Sequence, residues 1–174
     1  MDIVSIDSYQ SPCGKLILGS YKGRLCLCDW ENRKNRNRME VHIAHFLKAT
    51  FMEGESEVIA SAKQQLQEFF LRGRKIMNIP LLLVGTDFQK SVWERLMQVQ
   101  YGETLSYKML ANSLGYVRSV RAVANAVASN PISIFIPCHR IVGSNHTLTG
   151  YAGGLDAKCY LLELERKVLR GELL

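Results

Sequence analysis

The sequence predicts an α/β chain of the α+β type. A small N-terminal sheet-plus-helix lobe covers residues 1–80, and a mainly helical C-terminal domain with a helix-turn-helix covers residues 81–174. Three observations lead there. The first thirty residues hold three strand-like runs separated by turn signals. One run of helical period follows at residues 57–71, and from residue 86 onward apolar residues recur mainly at helical spacing.

The strands are expected at residues 3–9, 15–21 and 24–30, with turns at Gly14 and at Lys22-Gly23, the latter a hairpin. Strict alternation places Leu25, Leu27 and Asp29 on one face of the third strand and Cys26, Cys28 and Trp30 on the other. A weak helix is expected from Met39 to Lys48. A stronger one runs from Glu57 to Leu71, with Ser56 as N-cap, Val58, Ile59, Ala62, Leu66, Phe69 and Phe70 at helical period, and Gly73 at its end. Lys75 to Gly85 reads as a connection. Thr86 and Gln89 have capping-box spacing, opening a helix that carries Phe88, Val92, Leu96 and Val99 on one face and closes at Gly102. A helix from Tyr107 to Leu114 stops at Gly115. Another, capped by Ser119, runs from Val120 to Ser129 and ends at Asn130-Pro131, completing a helix-turn-helix pattern. Its alanines at 122, 124, 126 and 128 suit either close approach to a narrow groove or burial against a core. Ile132, Ile134 and Ile136 alternate like a short buried strand, stopped by Pro137. Asp156 is the expected cap of a last helix over 157–170, in which Glu165 shares an apolar face with Leu161 and Leu162.

Hydrophobic residues at 47% and charged residues at 22% are ordinary for a soluble globular protein. The most apolar candidate span, Ile76 to Val84, is broken by Asn78 and Pro80, so no membrane partner is expected. The N-terminus shows neither the basic nor the apolar region of a signal peptide, which points to the cytoplasm. Five cysteines without a framework then read as reduced thiols. Cys13, Cys26, Cys28, His42 and His45 match no zinc spacing, and no metal is assigned. A net charge of +6 suits a polyanionic partner without establishing one. The basic run Arg33 to Arg38 reads as a solvated loop, whereas Arg118, Arg121 and Arg140 flank the residue where chemistry is expected.

That residue is Cys138, in Pro137-Cys138-His139-Arg140. A thiol held just past a strand stop, with an imidazole beside it, is set up as a nucleophile. An inward carboxylate at Glu165 needs a partner, and His139 is the natural one, giving a Cys–His–Glu relay in which the carboxylate orients the imidazole. The Gly150-Tyr151-Ala152-Gly153-Gly154 run allows a tight loop whose N–H groups face a ligand.

These pieces, in this order and spacing, resemble the O6-alkylguanine-DNA alkyltransferases, also called methylated-DNA–protein-cysteine methyltransferases. The resemblance runs from about Gly85 to Glu165. It rests on Gly85-Thr86-Asp87-Phe88-Gln89, Val92-Trp93, Ser106-Tyr107, Leu110-Ala111, Arg121-Ala122-Val123, Asn130-Pro131, Pro137-Cys138-His139-Arg140-Ile141, Gly150 to Leu155, and Lys158 with Leu161-Leu162. It implies a ribonuclease H-like N-terminal lobe and direct-reversal repair of double-stranded DNA carrying O6-alkylguanine. The family docks in the minor groove, flips the nucleotide out of the stack and transfers the alkyl group once and irreversibly. Cys138 would accept the alkyl group, His139 draw off the thiol proton, Glu165 hold the imidazole and Asn130 brace the loop. Arg121 would fill the space of the expelled nucleotide and Tyr107 would rotate it. Ala122, Ala126, Arg140, Ile141, Tyr151 and Ala152 would complete the DNA- and base-binding set, with the carbonyls of Cys138 and Ile141 accepting from the exocyclic amine and the Ala152 N–H near O6. No cofactor is implied, and a monomer is the default. The alternative is an alkyltransferase-like protein that binds damaged DNA, or regulates, without transfer. Such relatives lack the acceptor cysteine, which Cys138 argues against.

Overall fold

The computed structural model describes residues 1–173. β1 (Asp2–Ser11), β2 (Gly14–Tyr21) and β3 (Arg24–Trp30) form an antiparallel meander, and β4 (Ala49–Glu53) adds in parallel beside β1 to give the order β3-β2-β1-β4. The hairpin between β2 and β3 turns on Lys22 and Gly23, both at positive φ (48° and 77°), as a two-residue loop of the favoured twist requires. Strict alternation fails in β3. Gly19 pairs with Leu27 but Ser20 pairs with Leu25, so Cys26 is an extra, bulged residue and the face order reverses there. Leu25, Cys28 and Trp30 therefore join the main core, while Cys26 and Leu27 pack on the other side with Val4, Ile17 and Ile43 of α1 (Arg36–Leu47).

α2 (Glu57–Arg72) begins as expected, with the Ser56 side chain accepting from the Ile59 N–H at 3.1 Å, and ends at Gly73 in the left-handed region. α3 (Asp87–Leu96) opens with a complete capping box: Thr86 Oγ1 accepts from Gln89 N at 3.1 Å and Gln89 Oε1 accepts from Thr86 N at 3.0 Å. It stops at Leu96 rather than near Gly102, and Val99 is buried from a turn beyond its end. α4 (Tyr107–Ser113) and α5 (Val120–Ala128) follow; Ser119 precedes α5 without making a side-chain cap. α6 (Leu155–Leu169) starts directly after Gly154, which is therefore the N-cap residue in place of Asp156; Gly154 has a φ of 91°, and Asp156 lies in the first turn.

One apolar core runs through both parts of the chain, from Leu18, Trp30 and Phe69 to Trp93, Leu110, Ile132 and Leu161. Fully burying a side chain such as Leu18 or Ile132 is worth about 1.5–3 kcal/mol. The outer edge of β3 is covered rather than open. Leu25 pairs with the 80–82 segment (Leu25 N to Pro80 O, 2.8 Å; Leu82 N to Leu25 O, 2.9 Å), and Cys28 pairs with 131–133 (Cys28 N to Pro131 O, 2.9 Å; Ser133 N to Cys28 O, 2.7 Å). The segment leading to Cys138 thus hangs from the N-terminal sheet.

That segment is not the strand expected from Ile132, Ile134 and Ile136. Only Ile132 lies beside β3. Ile134 has φ of +73°, and Phe135 N and Ile136 N bond back to Ser133 O and Ile132 O at 2.9 Å each, so the chain folds tightly on itself. All three isoleucines are buried because the turn is enclosed by the core on every side, which a two-residue period cannot distinguish from a strand. A β-branched residue in the left-handed region costs roughly 1–3 kcal/mol, which the surrounding packing must offset.

Candidate active site

Pro137 (φ −79°, ψ 63°) makes an inverse γ-turn in which Cys138 N donates to Ile136 O at 2.7 Å, and Cys138–Arg140 then form one 3-10 turn. The tight turning is set by Asn130, itself buried, whose Nδ2 donates to Ile136 O at 2.8 Å and whose Oδ1 accepts from Ile132 N at 3.0 Å. Cys138 ends 6% exposed at the edge of a cavity of about 520 Å³ lined also by Tyr107, Asn130, Tyr151 and Ala152. Burial pushes its thiol up; the Asn130 side chain and the charges of Arg33 and Lys158 act against burial, and Asp29 acts with it.

Behind the thiol, His139 and Glu165 have no solvent exposure. His139 Nε2 lies 2.7 Å from Glu165 Oε1, while its Nδ1 is buried without a protein partner among the described residues. Burial holds the imidazole below its ordinary value against the pull of Glu165, so it is neutral at neutral pH. Nε2 then carries the ring proton and donates it in a hydrogen bond to the Glu165 carboxylate, which leaves the Nδ1 lone pair free. Burial opposes the charge of Glu165, yet His139 and Arg140 outweigh it and hold the carboxyl down at about 2. Glu165 Oε2 also accepts from Gly102 N at 2.9 Å.

Arg140 belongs to this buried network and not to a DNA-facing set. Its Nη2 and Nε donate to Glu165 at 2.9 and 3.1 Å, its Nη1 donates to Val99 O at 2.7 Å, and the guanidinium lies 5.5 Å from the Tyr101 ring centre. A buried carboxylate draws the nearest cation inward. Ala126 is likewise turned away: it is 3% exposed, and its carbonyl accepts from Trp93 Nε1 at 2.8 Å. The face that α5 leaves open carries Arg121, Ala122 and Asn125, with Ala124 half-buried beside the cavity. The Arg121 side chain is exposed in the first turn of α5.

Ser106 caps α4 by accepting from Met109 N at 3.1 Å, which sets Tyr107 at the first helical position; the Tyr107 hydroxyl accepts weakly from Thr149 at 3.5 Å. Tyr151 packs edge-on to Trp30, ring centres 5.9 Å apart. The loop there comes so close to β3 that a Cβ on Gly153 would sit 2.6 Å from the Trp30 ring, so glycine is required. The Ile141 carbonyl accepts from Lys158 Nζ at 2.5 Å, and the same ammonium donates to Thr149 O at 2.9 Å. Burial lowers Lys158 to about 8, against the pull of Cys138.

Two further charged residues, Lys158 and Arg33, lie near the thiol. Lys158 interrupts the apolar face made by Ala157, Leu161 and Leu162, a detectable signal. Arg33 lies in the run expected to be a solvated loop, yet its side chain is 12% exposed and pairs with the fully buried Asp29 at 3.0 Å; the Asp29/Arg33 spacing of four is the only sequence hint. Among the described residues no group of three histidine, cysteine or acidic side chains is placed to hold a metal, and Cys26 and Cys28 face opposite sides of the sheet. No helix among those residues is long and apolar enough to cross a membrane.

The family described as 6-O-methylguanine DNA methyltransferase, DNA binding domain, matches residues 87–167. A Methanosarcina barkeri protein named methylated-DNA–protein-cysteine methyltransferase is 42% identical over 165 residues, 94% of this chain and 98% of that protein. The constitutive protein of that name from Bacillus subtilis is 38% identical over 90% of this chain and 92% of its own length. Among solved structures, the O6-methylguanine methyltransferase of Mycobacterium tuberculosis superposes with a TM-score of 0.79 at 35% identity, covering 94% of this chain and 93% of that one. A structure of the same organism's OGT in complex with DNA gives 0.79 at 34% identity, over 95% and 93%.

Proposed function

Because the chain belongs to the methylated-DNA–protein-cysteine methyltransferase family, we infer that it binds DNA and repairs it by direct reversal, moving an alkyl group from guanine O6 to Cys138. The observation that carries the assignment to Cys138 is a thiol at the edge of a cavity with a carboxylate-held imidazole next to it in the chain. In the transfer the S–C bond forms as the O6–C bond breaks. His139 Nδ1, reached through a water, takes the thiol proton, and the guanine left behind takes up one proton, so the balance closes. A thioether is a very poor leaving group, so each protein reacts once. A displacement by a thiolate needs no metal or organic cofactor.

O6 cannot be aligned with a protein sulfur inside a stacked duplex, so the nucleotide must be extruded. The open, alanine-lined face of α5 supports docking of α4 and α5 as a helix-turn-helix in the minor groove, with Arg121 entering the stack and Tyr107 guiding the base. Ala152 and Tyr151 line the cavity that receives it. In this reading residues 1–80 form the supporting lobe, residues 81–174 bind DNA and accept the alkyl group, and the protein works as a cytoplasmic monomer.

Intact-protein mass after incubation with a duplex carrying one O6-methylguanine tests the reading. The expected result is a gain of one methylene unit, on the peptide bearing Cys138, saturating at one per chain. Lesion-selective binding without any gain would make this a damage-recognition protein instead. Arg121→Ala should slow transfer from duplex roughly tenfold or more, since unstacking costs a few kcal/mol and each 1.4 kcal/mol is a factor of ten. Its reaction with free O6-benzylguanine should stay within about twofold of the unaltered rate, because no extrusion is involved. Equal losses on both substrates would show that Arg121 serves the fold.

A further inference from the structure

We propose that Arg33 is a positioning residue for alkyl transfer, fastening the C-terminal end of α5 and the Asn130 brace to the N-terminal sheet so that the Cys138 loop is held in place. The proposal rests on the repair reading above. Arg33 Nη1 donates to Asp29 Oδ1 at 3.0 Å and to Asn130 O at 3.1 Å, and Nη2 donates to Ala128 O. The last carbonyls of a helix have no partner within it, and a cation is favoured at that end, so Ala128 O is a natural target. A guanidinium fork reaches three acceptors in one rigid plane; an ammonium does not. Asp29 is fully buried, which fixes the root of the fork.

The grip is continuous with the edge of β3. Cys28, the neighbour of Asp29, bonds Pro131 O and Ser133 N, so residues 28–33 hold positions 128, 130, 131 and 133 of the stretch that leads to the thiol. From there the path is short. Arg33 holds the Asn130 carbonyl, the Asn130 amide holds Ile136 O, and Ile136 O receives the N–H of Cys138. Arg33 also lines the cavity itself. The charged and titratable groups acting on the thiol are Arg33, Lys158 and Asp29, with Tyr151 and Cys28 also coupled to it and His139 adjacent in the chain. Removing the guanidinium therefore takes away both a clamp and one of two cations.

The test compares Arg33→Met and Arg33→Lys with the unaltered protein. Each is assayed for transfer from duplex and from free O6-benzylguanine, and for the pH dependence of Cys138 alkylation by iodoacetamide, read by peptide mapping. Arg33→Met should slow transfer from both substrates by roughly tenfold to a hundredfold, the scale of a misplacement of about 1 Å, and its iodoacetamide profile should move to higher pH. Arg33→Lys should keep the pH profile, because the cation remains, while staying slow in transfer, because the fork is gone. If Arg33→Met folds poorly, the Asp29→Asn/Arg33→Met double variant removes the stranded carboxylate and should still be slow. Transfer within about twofold of the unaltered rate in either Met variant, or full rescue by lysine, would overturn the proposal. Failure of the unaltered protein to accept an alkyl group would instead sink the repair reading, while the iodoacetamide profiles would still report whether Arg33 governs Cys138.

Discussion

Cys138→Ser yields a chain that folds, binds alkylated duplex DNA and accepts no alkyl group. The hydroxyl is close in size to the thiol, so the tight turn at 137–138 and the Asn130 bonds to Ile132 and Ile136 survive. What is lost is the nucleophile, since a serine hydroxyl next to a neutral imidazole does not approach the reactivity of a thiolate. The other thiols are poor substitutes. Burial pushes Cys26 up to about 12 and Cys28 well above its ordinary value, and Cys159 lies exposed on α6, outside the cavity. Peptide mapping after incubation with O6-methylguanine duplex reads the outcome. Any methyl group found on Cys13, Cys26, Cys28 or Cys159 at the unaltered rate would remove Cys138 from the centre of the chemistry.

Glu165→Gln should cost both stability and rate. The carboxylate accepts from His139, from Arg140 and from the Gly102 N–H, and no solvent reaches it. A glutamine offers one oxygen and turns an NH₂ toward these donors, leaving the Arg140 cation buried without a counter-charge. Breaking a buried pair from one side costs about 3–5 kcal/mol, or roughly 6–20 °C in thermal midpoint for a chain of this size. Transfer falls as well, because the imidazole loses the acceptor that holds Nδ1 free. The pH dependence has a definite sign. The folded carboxyl sits at about 2 against 4.5 for the free group, so its stabilisation is complete above about pH 4.5 and is lost as pH falls toward 2. The unaltered protein should therefore lose stability over that acid window more steeply than Glu165→Gln. Superimposable acid titrations of the two, followed by circular dichroism, would show that Glu165 is not held charged in the fold.

Local chemistry was legible wherever the deciding partner lies within a few residues. The Thr86–Gln89 box, the Ser56 cap, the Gly73 stop and the Lys22-Gly23 hairpin depend on groups no more than five positions away, and each is found where expected. β4 is not legible in the chain because Ala49 to Glu53 is short and does not alternate cleanly, and it becomes a strand only through β1. The alternation in β3 failed because the bulge at Cys26 is a property of its pairing with β2. Ile132 to Ile136 looked like a strand because enclosure on all sides gives the same apolar run as a buried strand.

The inward carboxylate of Glu165 could be read from the chain because an acid on an apolar helix face is costly to bury without a partner, and His139, beside Cys138, is a partner of the right chemistry. Which cation goes where was decided only by the tertiary structure. Arg140, adjacent to the thiol motif, looked free for DNA until a carboxylate 25 residues away drew it inward. Arg33, in a run that read as solvated, reaches a carbonyl 97 residues away. A long, flexible charged side chain carries no record of its partner in the local sequence. Its place is set by which buried acceptor the fold brings within reach, because leaving that acceptor unpaired costs more than ordering the side chain.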